Sequence, residues 1–158
     1  MSRWEVWLSH ISTVVVSVSG IAYLWMKYFM QTDDPFALVN HPLQPTMMSL
    51  HVLAAPALTF VLGLMVNSHA RKKLASPARA NRLSGLAALL TFPAMVVSGY
   101  VLQISTSATL TRASLILHLA SSGVFALTYV IHQVVSIRLS RTAAAPQKAA
   151  SFVRQQTA

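Results

Sequence analysis

The chain has 158 residues, 54% of them hydrophobic and 9% charged, with a mean hydropathy of +0.56. A water-soluble domain carries about a quarter charged residues, so this composition points to a membrane. The formal charge of +9 does not mark a nucleic-acid-binding protein. Its basic residues cluster between long apolar runs and no helix offers a continuous basic face, so anionic lipid and the positive-inside rule account for them. Cysteine is absent. That excludes disulfides, thiolate-bound zinc, iron–sulfur clusters and covalently attached haem within this chain.

Four apolar segments are each long enough for the roughly 20 residues that a helix needs to span hydrocarbon. The first is predicted over residues 4–30. Its length, and the interruptions at Glu5, Ser9 and His10, argue for a helix of the mature protein over a signal peptide. The second is predicted over 45–67, with Pro45 in its first turn. The third covers 81–105 and the fourth 109–137. Pro56 and Pro93 fall inside spans, where membrane helices tolerate proline. Residues 1–141 thus form one all-α unit, expected as an antiparallel four-transmembrane-helix bundle. Residues 142–158, rich in alanine and glutamine, are expected as a flexible cytoplasmic tail.

Orientation follows from the basic residues. Arg71, Lys72, Lys73, Arg79 and Arg82 lie between the second and third segments, Arg138, Arg141, Lys148 and Arg154 follow the fourth, and Arg3 begins the chain. The opposite side has Lys27 and Arg112 with Asp33 and Asp34. Both termini are therefore expected in the cytoplasm. Trp4 and Trp7 would sit in the inner interface belt, with Trp25, Tyr28 and Tyr100 towards the outer one.

Histidines carry the chemical signal. His10, His51, His118 and His132 fall inside the predicted spans, where an ionisable side chain is costly and points to function. His118 and His132 are fourteen residues apart. That is a rise of about 21 Å and a rotation about 40° short of four turns, so both occupy one face at two depths. His51 lies seven residues in from Gln44, as His118 lies seven from Thr111; His10 lies seven from Arg3, and His132 six from Arg138. In antiparallel helices, His51 then faces His118 near the outer leaflet and His10 faces His132 near the inner one. Each pair can supply two axial imidazoles to one iron, and helix bundles commonly hold cofactors in this way. Gly20 and Gly99 near the outer level and Gly63 nearer the inner one would leave room for a flat porphyrin, although glycine equally serves close helix packing. The competing reading is that the histidines hydrogen-bond across helices or face water-filled cavities. Zinc is disfavoured because no acid or cysteine lies well within the spans.

The order His10, His51, then His118 and His132 on the last helix resembles the four-helix dihaem cytochrome b superfamily. That group includes bacterial cytochrome b561 and the cytochrome b subunits of formate dehydrogenase and nickel–iron hydrogenase. The resemblance covers the four spans and rests on topology and histidine spacing. It implies two b-type haems, His10 with His132 on the inner iron and His51 with His118 on the outer. It also implies electron transfer across a bacterial inner membrane, with quinone as the usual partner on one side. The loop containing Asp33, Asp34, Asn40 and His41, and the additional His69, are departures from that pattern.

Arg112 and Arg138 are candidates to pair with haem propionates, since guanidinium suits carboxylate geometry; their alternative role is interfacial anchoring. Asn67 and His69, or Asp33, Asp34 and His41, could serve quinone. His69 lies eighteen residues after His51, five turns on and hence on the same face of an uninterrupted helix. With no site for a soluble substrate, the chain is expected to exchange electrons with a partner subunit or soluble carrier, and an oligomer is compatible with it. A stand-alone quinone-linked oxidoreductase of the bacterial cytochrome b561 kind is the first competitor. A haem-free four-helix transporter, or a structural anchor of a larger complex, is the second.

Overall fold

The structure is a computed structural model that describes residues 2–76 and 81–156, with side chains described as far as Thr142. Among the described residues it is helical, without strands. Helix α1 runs Arg3–Tyr28, α2 Gln44–Met65, α3 Arg71–Ala75, α4 Arg82–Ile104 and α5 Ala108–Gln156; a π-helical turn, Val66–Ala70, joins α2 to α3. Four helical stretches are long and apolar enough to cross a membrane: Arg3–Tyr28, Gln44–Ala75, Arg82–Ile104 and Ala108–Thr142. They are the four expected segments.

Two boundaries differ from the sequence reading. The second helical stretch continues past residue 67 to Ala75 through the π-turn. The fourth continues past residue 137 to Gln156, so the expected tail is helical through most of its length. Alanine, glutamine, lysine and arginine are strong helix formers, which favours this extension. Arg79, and the side chains of Lys148 and Arg154, lie outside the described residues.

The chain divides into two compact units, Met1–Ser76 and Pro77–Ala158. In the first, α1 packs on α2 as an antiparallel hairpin: Asn40 Nδ2, just before α2, donates to the Lys27 carbonyl at 2.9 Å, and farther along His51 reaches Val16. The loop closes on itself. Asp34 Oδ1 accepts from the Phe36 N–H at 2.9 Å, and His41 Nδ1 accepts from the Leu43 N–H at 3.1 Å. These are turn-forming bonds of the kind that short polar side chains supply. At the other end, Glu5 Oε2 accepts from the Ser2 N–H at 3.0 Å, which caps the first turn of α1.

In the second unit α4 packs on α5, also antiparallel. Asn81 bonds to the His132 carbonyl, Phe92 meets Phe125 with ring centroids 5.9 Å apart, and His118 reaches Met95. Burial is inverted relative to a soluble core. Ser9, Ser12, Thr13, Ser19, Ser98, Ser114 and Ser121 are buried, whereas Leu53, Leu90 and Ile116 are 77%, 67% and 64% exposed. Small residues let membrane helices approach closely while large apolar ones face lipid. Four of the buried hydroxyls are satisfied within their own helix, whereas Thr13 Oγ1 is buried without a hydrogen-bond partner among the described residues. Ser12, Ser19, Ser98 and Ser121 each donate to a carbonyl four residues earlier, at 2.6–2.7 Å, which satisfies them locally.

Candidate haem-ligating histidines

Three of the four intramembrane histidines lie against a glycine of the neighbouring helix. In the first unit His51, on α2, projects towards α1, and its Nδ1 is 2.9 Å from the Val16 carbonyl oxygen. A Cβ added to Gly20 would lie 2.8 Å from His51 Cε1 and 2.9 Å from Nδ1. In the second unit His118, on α5, places Nδ1 2.9 Å from the Met95 carbonyl oxygen. A Cβ on Gly99 would come within 3.0 Å of its Cε1. His132, fourteen residues on, repeats the arrangement. A Cβ on Gly85 would lie 3.2 Å from its Cε1, and Ser84 Oγ is 3.1 Å from its Nδ1.

These contacts fix the tautomer. A carbonyl oxygen only accepts, so Nδ1 of His51 and of His118 must carry the hydrogen. In a neutral imidazole the lone pair is then on Nε2. Histidines that bind metal characteristically donate their other ring N–H to a carbonyl or carboxylate in this way. Ser98 Oγ lies 3.4 Å from His118 Nδ1 and has committed its own proton to the Ala94 carbonyl at 2.6 Å. It can act towards that ring only as a second acceptor.

Two of the three glycines named from the sequence adjoin the ring of a candidate ligand. Gly20 and Gly99 admit histidine rings, whereas Gly63 has nothing within 4 Å. Gly85, Ser84 and Asn81 were not among the candidates from sequence. A signal for them exists: Ser84-Gly85 and Ser98-Gly99 are fourteen residues apart, the same spacing as His118 and His132, and Ser19-Gly20 repeats the dipeptide opposite His51.

His10 is half-buried on α1. It precedes Gly20 by ten residues, about 15 Å along the axis, so the hairpin carries His10 and His51 at two levels. Arg112 and Arg138 are on α5, six residues before His118 and six after His132 respectively. Their separation corresponds to about 39 Å of helix, close to the full thickness of a bilayer with its headgroups. No group of three His, Asp or Glu side chains converges among the described residues.

His69 sits in the π-turn and lines a surface cavity with Ser68, Lys72, Lys73 and Ser76. The wider π-turn rotates by less per residue than an α-helix, and His69 lies within it, so the α-helical count of five turns from His51 does not carry through to His69. If His10, His51, His118 and His132 hold haem, replacement of His69 by alanine is expected to leave the haem content of the purified protein unchanged; loss of one haem would assign His69 as a ligand.

Compared with known proteins, the chain matches no family model, no curated protein and no solved structure.

Proposed function

We propose that the protein is a membrane dihaem cytochrome b that carries electrons across the bilayer between a quinone pool and a partner redox protein or subunit. Its four spanning helices form an antiparallel bundle in a bacterial inner membrane, with both termini in the cytoplasm. His10 and His132 hold the inner haem iron, and His51 and His118 the outer.

The observation that carries this reading is the state of the His51 and His118 rings. Each donates Nδ1–H to a main-chain carbonyl of the adjacent helix at 2.9 Å, which leaves Nε2 as the coordinating nitrogen. Histidines placed only to bridge helices have no need of one common tautomer, or of a glycine cleared for each ring. Two neutral imidazoles per iron fit b-type haem, and so does the absence of acid from the middle of the spans. Bound in this way, haem supplies a one-electron couple with no open coordination position, which favours electron transfer over oxygen chemistry.

The protein's own contribution is orientation and charge. Hydrogen bonds at Nδ1 raise the basicity of each ligand. Arg112 and Arg138, one towards each end of the membrane-spanning part of α5, are the candidates to neutralise propionates. For quinone we favour the His69 end, supported by the cavity that His69 shares with Lys72 and Lys73. Asp34 and His41 are engaged in holding their own loop.

A pyridine haemochrome assay on the purified full chain tests the reading. About two b haems per polypeptide are expected, whereas a well-folded but colourless protein from haem-replete cells would return the histidines to helix packing. Orientation is tested separately. A reporter fused to the C-terminus should be active only if of the cytoplasmic type, since the basic residues between α2 and α4 and beyond residue 137 hold that side.

A further inference from the structure

We infer that Asn81 and Ser84 form a proton-ordering relay that sets the tautomer of His132, and that Asn81 is a positioning residue for the ligand of the inner haem. The inference rests on the assignment of His132 as a ligand. Asn81 is the cap of α4 and the one non-glycine residue with positive φ among the described residues, at φ 60° and ψ 22°. Asparagine tolerates that left-handed conformation better than most residues. From there its side chain spans to α5. Nδ2 lies 2.7 Å from the His132 carbonyl oxygen and 2.7 Å from Ser136 Oγ.

The direction of each bond follows from the chemistry of the donors. The His132 carbonyl only accepts, so the nitrogen of the amide must face it, and Oδ1 is turned towards Ser84 as an acceptor. Ser84 Oγ lies 2.5 Å from Oδ1 and gives its single proton there. Its lone pairs are then what remain for His132 Nδ1, 3.1 Å away. Nδ1 must therefore be the N–H, which puts the lone pair on Nε2, the nitrogen that would meet iron.

The other two rings reach the same tautomer by a different route. Val16 and Met95, the acceptors for His51 and His118, each stand four residues before the glycine that admits the ring. The corresponding position before Gly85 is Asn81, outside the regular helix. A serine hydroxyl, which by itself can either donate or accept, faces this ring, and its commitment to Asn81, closely at Oδ1 and more distantly at the main-chain carbonyl 3.4 Å away, removes the ambiguity. The His132 site therefore depends on a side-chain network that the other two sites do not require.

The experiment compares Ser84→Ala, Ser84→Thr and Asn81→Gly with the parent chain in detergent. Glycine at 81 keeps the left-handed backbone at little cost, so it removes the side chain without adding strain. Redox titration and low-temperature electron paramagnetic resonance would be read beside haem content. Ser84→Ala is expected to keep about two haems and to raise the potential of one, the haem that a His132→Ala variant lacks. Asn81→Gly leaves the Ser84 acceptor in place but releases its proton from Oδ1, and is expected to shift the same haem in the same direction by less. A ligand that loses its N–H acceptor stabilises ferric iron less. In Ser84→Ala the ferrous-to-ferric ratio at fixed potential should rise roughly threefold to tenfold, the worth of one hydrogen bond. Threonine at 84 restores the hydroxyl and should restore the potential. Equal shifts of both haems, or no shift of either, would overturn the relay.

If the protein proves to hold no haem, the assignment of His132 as a ligand fails and the relay is judged on the ring alone. Nitrogen-15 spectra of the histidine-labelled chain should then show His132 as the Nδ1–H tautomer in the parent and as a mixture in Ser84→Ala. An unchanged tautomer in Ser84→Ala would overturn it.

Discussion

Alanine at position 118 is expected to reduce the purified protein from about two b haems per chain to about one, with the surviving haem still low-spin. Iron held by two imidazoles cannot keep its six-coordinate state when one is removed and no substitute is at hand. The Nδ1 partners of His118 are the Met95 carbonyl and the Ser98 hydroxyl, which are poor ligands for haem iron. The His132 site, fourteen residues away on the same helix, has its own network through Ser84 and Asn81 and should be spared. His51→Ala should remove the same haem as His118→Ala, and the double variant should lose no more than either single one. Haemochrome content and the number of components in a redox titration check this. Two haems retained in His118→Ala, or different haems lost in the two single variants, would contradict the proposed pairing.

Gly20→Ala should be the most damaging of the glycine replacements. The new methyl group would stand 2.8 Å from His51 Cε1 and 2.9 Å from Nδ1, closer than such atoms can approach. The ring must then swing away and give up its 2.9 Å bond to the Val16 carbonyl. Overpacking of this kind costs about 1–3 kcal/mol, and a lost hydrogen bond adds about 1 kcal/mol. Haem content should fall together with the unfolding midpoint. Gly99→Ala, at 3.0 Å, and Gly85→Ala, at 3.2 Å, should follow in that order. Gly63→Ala meets nothing within 4 Å and should be neutral or slightly stabilising, because alanine favours a helix interior by about 1 kcal/mol over glycine. Thermal unfolding followed at the haem band and by circular dichroism would rank the four. Equal damage at Gly63 and Gly20 would mean that room for the ring is not what these glycines provide.

The four spans are legible in the sequence because hydrocarbon imposes a one-dimensional rule. About 20 apolar residues must run without charge, and the helix is the form that satisfies its own backbone there. The two levels on α5 are legible for a similar reason. A step of fourteen residues brings a regular helix back to nearly the same face, so His118 and His132 align whatever surrounds them. The same regularity misleads at His69. No residue type in Val66–Ala70 announces a π-turn, and its smaller rotation per residue removes the predicted register. At the end of α5 two signals conflict: the polarity of the tail suggests a loose segment, while its helix propensity, which prevails, continues the helix.

What the sequence by itself determined is the inventory: four membrane-length helices, their basic flanks, and histidines at regular depths with no acid or cysteine beside them. Only the tertiary structure decided the use of Gly20, Gly85 and Gly99 and the tautomer of the rings opposite them. Those depend on which residues meet when two helices lie antiparallel, at separations of about 3 Å that no periodicity encodes. A carbonyl four residues before a glycine becomes an acceptor only when a neighbouring helix brings an imidazole to it. Asn81 shows the point most sharply. In sequence it is a polar residue at the start of a helix; in the fold, its left-handed backbone carries the amide across to His132 and Ser136.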